Sequence, residues 1–438
     1  MRREFFLVFL SPLVLVAIGV GYINASRQSG TRRAEEVAGE SLYREVLQTV
    51  RERYVVEADE DRLVYGAARG IMSELDRHSR VYDAVEWADR TITTQGEYVG
   101  IGVLPGRLRG VISIIEVFPG SPAERAGVMH GDRILAVDAT QVDARTDVGG
   151  LLQGTRGSEV ELTLQALGGG RPRTVTVTRS RTPSRVVYGY LTGREGRVGY
   201  IHVDSFRDNT MEMFDSELAR LRAAGAESLI LDLRGNLGGN LDAAVELADR
   251  FIPGGVITTT SGRLPARSRM ASTSTPCEGM PLVVLVDAYS ASASEVVAGA
   301  LQDHARGVLL GERTFGKGVV QEVASFQSGW PGGMKLTTAH HFTPSGRCIE
   351  RSIGLGKDAQ RRGGLVPDVP VRMAPSLRTR KQRGDWYAKL NAHRRRGRFD
   401  PRVRRILEEE QPRFDDRQVD AAIALLSDRW VGDRPLGE

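Results

Sequence analysis

The sequence is poor in cysteine and lysine, and each shortage is informative. Two cysteines among 438 residues, Cys277 and Cys348, cannot build the disulfide framework of a small secreted domain. In an exported protein these two could pair with each other or remain free buried thiols. Lysine supplies only five of the 60 basic residues, so a lysine at a special position suggests a chemical task that arginine cannot perform.

An excess of charge of one sign is also absent from most of the chain. The net charge is +5, and residues 376–438 alone carry that excess. A balanced chain lacks the basic surface that binds a phosphate backbone, so we expect no nucleic acid as a partner. His202, His304, His340 and His341 do not have the spacing of metal ligands, and we expect neither a metal nor another cofactor.

One long uncharged stretch is present, at the N-terminus. Residues 5–23 carry no charge, and arginines flank them on both sides. Nineteen residues are enough to cross a bilayer and exceed the usual apolar part of a signal peptide. We therefore predict a membrane anchor over residues 1–30, with a cleaved signal peptide as the alternative. The flanking arginines do not decide its orientation.

The spacing of apolar residues changes along the chain and predicts a multidomain α/β protein. Residues 31–94 have helical spacing, whereas residues 95–183 read as short strands and glycine turns, typical of a small β-barrel with two helices. Residues 184–374 alternate strands with helices, as βαβ units do. Residues 375–438 form a basic, partly helical extension. It could be a solvated appendage, a partner-binding helix or a contact for acidic lipids.

Two short segments could carry chemistry. Ser290, Ser292 and Ser294 lie where a strand is expected to meet a helix. Serine often caps a helix, yet a helix N-terminus also stabilises developing negative charge. Lys317 lies between two glycines, which allow close backbone packing and leave little room for water around the amine. Because lysine loses its proton readily on burial, Lys317 could act as the general base for a serine.

A third segment is a glycine-rich loop after the apolar strand at 228–233. Its sequence at 234–240, RGNLGGN, is a weak sign of an anion cradle, and it lacks the Lys-Ser/Thr pair of a phosphate loop. Leu237 occupies the place that the nucleophilic serine has in the similar run of trypsin-like proteases. A Ser-His-Asp triad is therefore not predicted there.

Together these motifs make the chain similar to the carboxy-terminal processing peptidases, also called tail-specific proteases. This family consists of PDZ-containing serine proteases with a Ser-Lys dyad. The match runs from about residue 40 to 370 and is carried by residues 75–79 (LDRHS), 99–103 (VGIGV), 232–234 (DLR) with 238–239 (GG), 290–295 (SASASE), 315–318 (FGKG) with Gln321, 343–347 (TPSGR) and 367–369 (PDV).

The resemblance implies roles for individual residues. Ser292 would be the nucleophile, Lys317 the general base, and Gln321 the residue that orients the lysine. The backbone amides of Gly238 and Ala293 would form the oxyanion hole. Ser290 and Ser294 would then be capping or packing residues.

The resemblance also implies a PDZ domain at 95–183 and a crotonase-like (ββα) protease core at 184–374. The peptide-binding loop of the PDZ domain would comprise Tyr98, Val99, Gly100, Ile101, Gly102 and Val103. Its backbone amides would surround a terminal carboxylate while the peptide adds as a strand. Gln153 departs from the pattern, because relatives often have an arginine there that is linked to activation by the PDZ domain.

The implied function is endoproteolysis of exported proteins near their C-termini. The substrates would be proteins or peptides with free C-termini. The enzyme would be anchored on the periplasmic side of the inner membrane, and an adaptor or a second copy of the chain is a further candidate partner. The alternative function is an inactive, membrane-tethered PDZ scaffold, and the presence of Ser292, Lys317 and Gln321 argues against it.

Overall fold

The computed structural model describes residues 40–143, 146–193, 196–272, 275–351, 363–372, 400–410 and 416–428. The chain divides into two compact units, residues 1–75 and 76–438, and each is described by itself. In the first unit, α1 spans residues 40–53 and α2 spans Glu60–Ser73. The anchor predicted at residues 1–30 lies outside the described residues. Among the helices within those ranges, none is both long and apolar enough to cross a bilayer.

The second unit begins with a short strand and a capped helix. β1 is Arg80–Tyr82 and α3 is Ala84–Thr94. Asp83 begins α3 by accepting the N–H of Glu86 at 3.0 Å, and the Glu86 carboxylate accepts the Asp83 N–H at 3.2 Å. Our prediction of helices alone before residue 94 is wrong at β1. Three residues show no periodicity, and β1 is a strand only because it pairs with a distant strand at residues 333–335.

A β-rich module follows, with its own core. This core forms because every second side chain along a strand points to the same face of the sheet, and one face is turned inward. Its almost fully buried residues include Ile101, Ile114, Ile134, Leu162 and Leu164. One sheet has the order β3-β4-β5-β7-β8 with β6 on β5, and β2 pairs with β9. The elements are β2 (Glu97–Gly100), β3 (Val103–Leu108), β4 (Val111–Val117), α4 (Pro122–Arg125), β5 (Arg133–Val137), β6 (Thr140–Gln141), α5 (Val148–Leu152), β7 (Glu159–Gln165), β8 (Arg173–Thr178) and β9 (Ser180–Pro183).

The rest of the chain is an α/β core around a six-stranded sheet of order β10-β11-β12-β15-β16-β19. All neighbours pair in parallel except β10 and β11. Its elements are β10 (Val187–Thr192), β11 (Val198–Val203), α6 (Thr210–Ala223), β12 (Ser228–Asp232), α7 (Leu241–Asp249), β15 (Leu282–Val286), α8 (Ala293–Asp303), β16 (Val308–Gly311) and β19 (Val369–Pro370). The predicted alternation of strands and helices is confirmed in this region.

A second, antiparallel sheet completes the unit. Its order is β1-β18-β13-β14, with β17 also paired to β18. Its remaining members are β13 (Val256–Gly262), β14 (Arg267–Met270), β17 (Val319–Ser325) and β18 (Gly333–Phe342). The sequence analysis did not predict this sheet. Its strands are mostly half-buried, and the threonines and histidines in them obscure the period-2 pattern.

The basic extension contributes two helices that pack on the protein itself. In α9 (Pro401–Glu410), Val403 and Ile406 pack against Leu108 and Ile115 of the β-rich module. The next helix, α10 (Arg417–Asp428), covers the face of the six-stranded sheet opposite α6–α8. Its buried residues Val419, Ala422 and Leu426 share a core cluster with Tyr200, Ile230 and Leu285. Over residues 400–410 and 416–428 the solvated-appendage alternative is therefore wrong, because both helices bury apolar residues against the protein. The sheet of parallel strands needs the cover that α10 provides, since its other face is already covered by α6–α8.

The two cysteines do not pair. Both are free thiols in the structure. Cys277 is fully buried, whereas Cys348 is partly exposed. Of the two alternatives left open by the sequence, free thiols are correct, although only one of them is fully buried.

Candidate active site

The turn between β15 and α8 projects one serine into the site. Ser292 has φ +56° and ψ −116°, a conformation that costs free energy for a residue with a Cβ atom. Ser290 and Ser294 are fully buried, and their hydroxyls donate to the carbonyls of Leu233 and Asn236 at 2.9 and 3.0 Å. Only Ser292 is partly exposed, so the structure distinguishes it from its two neighbours.

The glycine-rich loop after β12 lies directly against this turn. Asn236 accepts the N–H of Ala291 at 3.0 Å through its backbone carbonyl. A Cβ atom on Gly238 would lie 2.9 Å from Ser292 Cβ and 3.0 Å from the Ala293 nitrogen, so only glycine fits this close approach. Gly238 also has φ +100°, which glycine adopts without strain.

The two backbone amides that the resemblance assigns to the oxyanion hole differ in whether their N–H groups are already hydrogen-bonded. The Ala293 N–H is at the first turn of α8, and no acceptor for it exists among the residues described. The Gly238 N–H already donates to Asn236 Oδ1 at 2.8 Å. To stabilise an oxyanion as well, this amide must share or exchange that hydrogen bond.

Lys317 has a neutral partner. Its Nζ donates to Gln321 Oε1 at 3.2 Å, and Gln321 Nε2 donates in turn to the carbonyl of His78 at 2.8 Å. Within the described ranges no carboxylate forms an ion pair with Lys317. Burial lowers the pKa of Lys317, and the nearby charge of Lys335 lowers it further. Both effects favour the neutral amine that a general base requires.

Glu295 links the turn of Ser292 to the loop of Lys317. Its Oε2 accepts the N–H groups of Ser292 and Lys317, each at 2.9 Å. Its Oε1 accepts from Thr314 Oγ1 at 2.5 Å and from the Gly316 N–H at 2.7 Å. Burial raises the pKa of this fully buried carboxyl group, and the four donors oppose that rise. The sequence analysis gave Glu295 no role, since only the folded chain brings these donors together.

Close backbone packing around Lys317 explains its two flanking glycines. A Cβ atom on Gly318 would lie 2.2 Å from the Glu350 nitrogen. The Glu350 carboxylate accepts the Gly318 N–H at 2.9 Å. Gly316 has φ +83°, and a Cβ there would lie 2.9 Å from the Gly364 nitrogen. The predicted reason for the glycines, close approach of backbone, is therefore confirmed.

Ser292 and Lys317, the candidate nucleophile and base, are linked through Glu295 rather than directly. No hydrogen bond joins Ser292 Oγ to Lys317 Nζ in the described structure. The nearest histidines are poor alternative bases: burial, with the charges of His340 and Lys317, lowers the pKa of His341 to about 4. Burial and Lys317 also lower the pKa of His78. Catalytic hydrogen bonds are often long without substrate, so this geometry still permits proton transfer once a side chain turns.

A second concave site lies where the β-rich module faces the core. The cavity has a volume of about 330 Å³, and Tyr98, Ile101, Val103, Leu152 and Gln153 line its module side, with Arg185 and Arg207 opposite. Val99 and Gly100 lie in β2, and Gly102 follows Ile101 in the turn before β3. No acceptor for the Ile101 N–H is found among the described residues. Burial raises the pKa of Tyr98 to about 12, so its phenol stays neutral.

Metal-ligating side chains are not clustered in the part of the chain that the structure describes. No group of three or more His, Cys, Asp or Glu residues there is placed to hold an ion. The chemistry of the site as described is that of hydroxyl, amine, amide and carboxylate groups.

A β-rich module is joined to an α/β core that carries a strained serine and a lysine bound to a neutral amide, and this is the design of a PDZ-containing peptidase. Residues 197–371 match the model of peptidase family S41, and residues 114–166 match that of the PDZ domain. The chain belongs to the carboxy-terminal processing protease family, as its motifs predicted.

Two sequence relatives support this assignment. The chain is 32% identical over 374 residues to the carboxy-terminal-processing protease of Bartonella bacilliformis, covering 83% of this chain and 80% of the relative. It is 35% identical over 304 residues to the carboxyl-terminal-processing protease of a Picosynechococcus species, covering 68% and 71%. A solved photosystem II D1 C-terminal processing protease is similar at 30% identity and a TM-score of 0.45, covering 74% of this chain and 86% of that one.

Proposed function

We propose that this protein is a serine endopeptidase that cleaves exported proteins near their C-termini through Ser292 and Lys317. One observation carries the proposal: the buried amine of Lys317 is bound to the neutral amide of Gln321. A structural lysine would be expected to pair with a carboxylate, which would keep it protonated. Here burial favours the neutral base, and Glu295 ties its loop to the turn of the candidate nucleophile.

The reaction follows the usual course of acyl transfer. Ser292 Oγ attacks the peptide carbonyl while Lys317 Nζ takes the hydroxyl proton. Ala293 N–H, and Gly238 N–H once released from Asn236, stabilise the oxyanion. Lys317 then returns the proton to the leaving amine as the C–N bond breaks, and an ester to Ser292 remains. Water, deprotonated by Lys317, hydrolyses that ester and regenerates both groups.

The test compares wild type with Lys317→Arg and Lys317→Ala across pH. A guanidinium stays protonated, so the arginine variant should fail about as badly as the alanine variant. The wild-type rate should rise with pH through a pKa below the ordinary lysine value of ~10.4. Cleavage of an internally quenched peptide measures both effects, and activity of Lys317→Arg within a few-fold of wild type contradicts the dyad.

Chemical labelling distinguishes the proposed peptidase from the alternative function, an inactive scaffold. A fluorophosphonate probe should modify the wild type and leave Ser292→Ala unlabelled, because only an activated serine reacts. A scaffold would remain unlabelled in both forms. The relatives are named as processing proteases, which favours the active enzyme.

We further propose that the PDZ domain binds the carboxyl terminus of the substrate and that the enzyme acts on the extracytoplasmic side of a membrane. The cavity beside Ile101 supports the first part, since it combines apolar walls with an available backbone N–H. The uncharged residues 5–23 support the second part.

A further inference from the structure

Two half-buried cations near the active site have no anionic partner among the described residues. Arg90 of α3 and Lys335 of β18 form no ion pair and no side-chain hydrogen bond with any described residue, and Arg90 Nε is fully buried without an acceptor. Other half-buried arginines do have acceptors: Arg250 pairs with Asp215 at 2.9 Å, and Arg306 donates to the carbonyls of Phe251 and Met280 at 3.0 and 2.8 Å. A partly desolvated cation without a counter-ion destabilises the fold. The presence of two such cations side by side therefore suggests that they have a function.

The sheet register places Lys335 beside the residue that binds the catalytic base. Lys335 pairs with Val323 on β17 and with Arg80 on β1, and Gln321 pairs with Thr337. Residues directly opposite share a face, so Lys335 is the diagonal neighbour of Gln321, at about 7–8 Å. The cation therefore lies on the face of the sheet where Gln321 binds Lys317.

Arg90 reaches the same face from the helix above it. Its guanidinium carbon lies 5.4 Å from the centre of the Tyr82 ring on β1. Tyr82 pairs with Gly333, and a Cβ atom on Gly333 would lie 2.5 Å from Trp87 of α3. The helix thus packs directly on β1 and β18, next to Lys335.

The carboxylates around these cations are engaged elsewhere. Asp76 accepts the N–H groups of His78 and Ser79, and Glu86 pairs with Arg80 at 2.5 Å. Glu350 and Glu295 accept backbone N–H groups of the Lys317 loop. Burial, followed by the charges of Arg90 and Arg80, lowers the pKa of Lys335, which shows how close the cations are. None of these carboxylates forms an ion pair with Arg90 or Lys335 in the described structure.

We propose that Arg90 and Lys335 form a subsite that binds a carboxylate of the peptide substrate close to the scissile bond. The proposal rests on the proposed peptidase function and specifies its substrates. Arginine offers paired N–H donors and lysine a compact charge, and together they suit a carboxylate. That carboxylate is either an Asp or Glu side chain or the C-terminal carboxylate of a substrate cut near its end.

The experiment uses the full-length enzyme and one neutral, internally quenched peptide that it cleaves. Each position around the cut is replaced in turn by Glu or Gln, and every peptide is made as a free acid and as an amide. At one position or at the terminus, the carboxylate should lower KM by about tenfold, equivalent to about 1.4 kcal/mol. Arg90→Gln and Lys335→Met should abolish that preference, measured in each variant as the ratio of kcat/KM for the acidic and the neutral peptide. The ratio is used because loss of either positive charge also raises the pKa of Lys317 and slows the cleavage of every peptide.

Two further variants control for folding and for general charge. Lys335→Arg keeps the cation and should keep the preference. Arg197→Gln removes an exposed arginine that pairs with Glu227 at 2.9 Å, and it should also keep the preference. Carboxylate binding at the PDZ domain can be told apart from binding at the subsite. Only a preference that is due to the subsite is lost when Arg90 or Lys335 is replaced.

Two results overturn the subsite. One is a wild type that treats Glu and Gln, and acid and amide, alike at every position. The other is an equal loss of activity on neutral and acidic peptides in Arg90→Gln and Lys335→Met. Failure of the proposed function looks different, since then no peptide is cleaved or Ser292→Ala cleaves as well as wild type.

Discussion

At the scale of single residues, Glu295 is the group whose removal should affect the site most without touching substrate. Glu295→Gln replaces one acceptor oxygen by an NH₂ group, which must face two donors of the original site. Displacement of a catalytic group by about 1 Å can lower the rate about 100-fold. We therefore expect a loss of that order in kcat, with little change in KM. Steady-state kinetics on a short peptide measure both constants.

The matched control for this prediction is another buried glutamate. Glu217 is 4% exposed and pairs with Arg220 on α6, away from the turn of Ser292. Glu217→Gln should destabilise the protein to a similar degree and leave kcat close to wild type. If the two variants lose the same fraction of kcat, Glu295 is merely a structural residue.

The residues of the candidate site differ in how well the sequence predicts them. Ser292, Lys317 and Gln321 lie in short motifs whose residue types already suggest their chemistry. The contacts of Glu295 join residues 19 to 22 positions apart in sequence, and no local pattern contains them. The hydrogen bond from Gly238 to Asn236 was missed for another reason, because the conformation of a glycine-rich loop does not follow from its composition.

At the scale of elements, the loop that carries Gly238 depends on the C-terminal extension. Arg234, at its start, is fully buried between Asp232 and Asp416. Arg234 Nη1 and Nη2 donate to the two Asp416 oxygens at 2.8 Å each, and Nη1 donates to Gln418 Oε1 at 2.9 Å. The residue before α10 therefore holds a loop 182 positions away in sequence.

Asp416→Ala should accordingly weaken both stability and catalysis. Removing one partner of a buried ion pair costs about 3 kcal/mol, which chemical denaturation measures. Because the Arg234 loop carries Gly238, kcat should also fall while KM stays near its wild-type value. Asp400→Asn is the control, since among the described residues Asp400 pairs with the exposed Arg402 at the start of α9 and with no buried cation. Wild-type stability and kcat in Asp416→Ala would contradict this role.

The elements also show where sequence reasoning fails. Strands buried on both faces, such as β12 and β15, are continuous apolar runs and were predicted correctly. The half-buried strands β17 and β18 were missed, because partners distant in sequence decide their pairing. The packing of α9 and α10 was missed for the same reason, because the residues that their apolar faces contact lie far away in sequence. The domain boundaries drawn from the sequence remain predictions.

At the scale of the whole molecule, the question is whether the PDZ domain controls the active site. Gln153 lines the cavity between the PDZ domain and the core, at the position where the family resemblance led us to expect an arginine. A neutral amide cannot form the ion pair that such an arginine could make with a bound carboxylate or with the core. Arg185, on the opposite wall, is already paired with Glu116 at 3.2 Å. Arg207, on the same wall, already donates to Ser205, Ser184 and the Thr93 carbonyl. A bound C-terminus therefore forms no new ion pair with the core unless one of these two arginines releases its present partners.

We expect a ligand at this cavity to bind by its carboxylate and to stimulate the enzyme little. A peptide with an apolar last residue should bind about tenfold more tightly as a free acid than as an amide, since the amide loses a charged hydrogen bond. A saturating free-acid peptide should change cleavage of a separate short peptide by less than about twofold, because a ligand shifts an equilibrium only by its differential affinity for the two states. Gln153→Arg should increase that stimulation. Equal affinities for acid and amide would refute carboxylate binding, and strong stimulation of the wild type would show that a residue other than 153 couples the two sites.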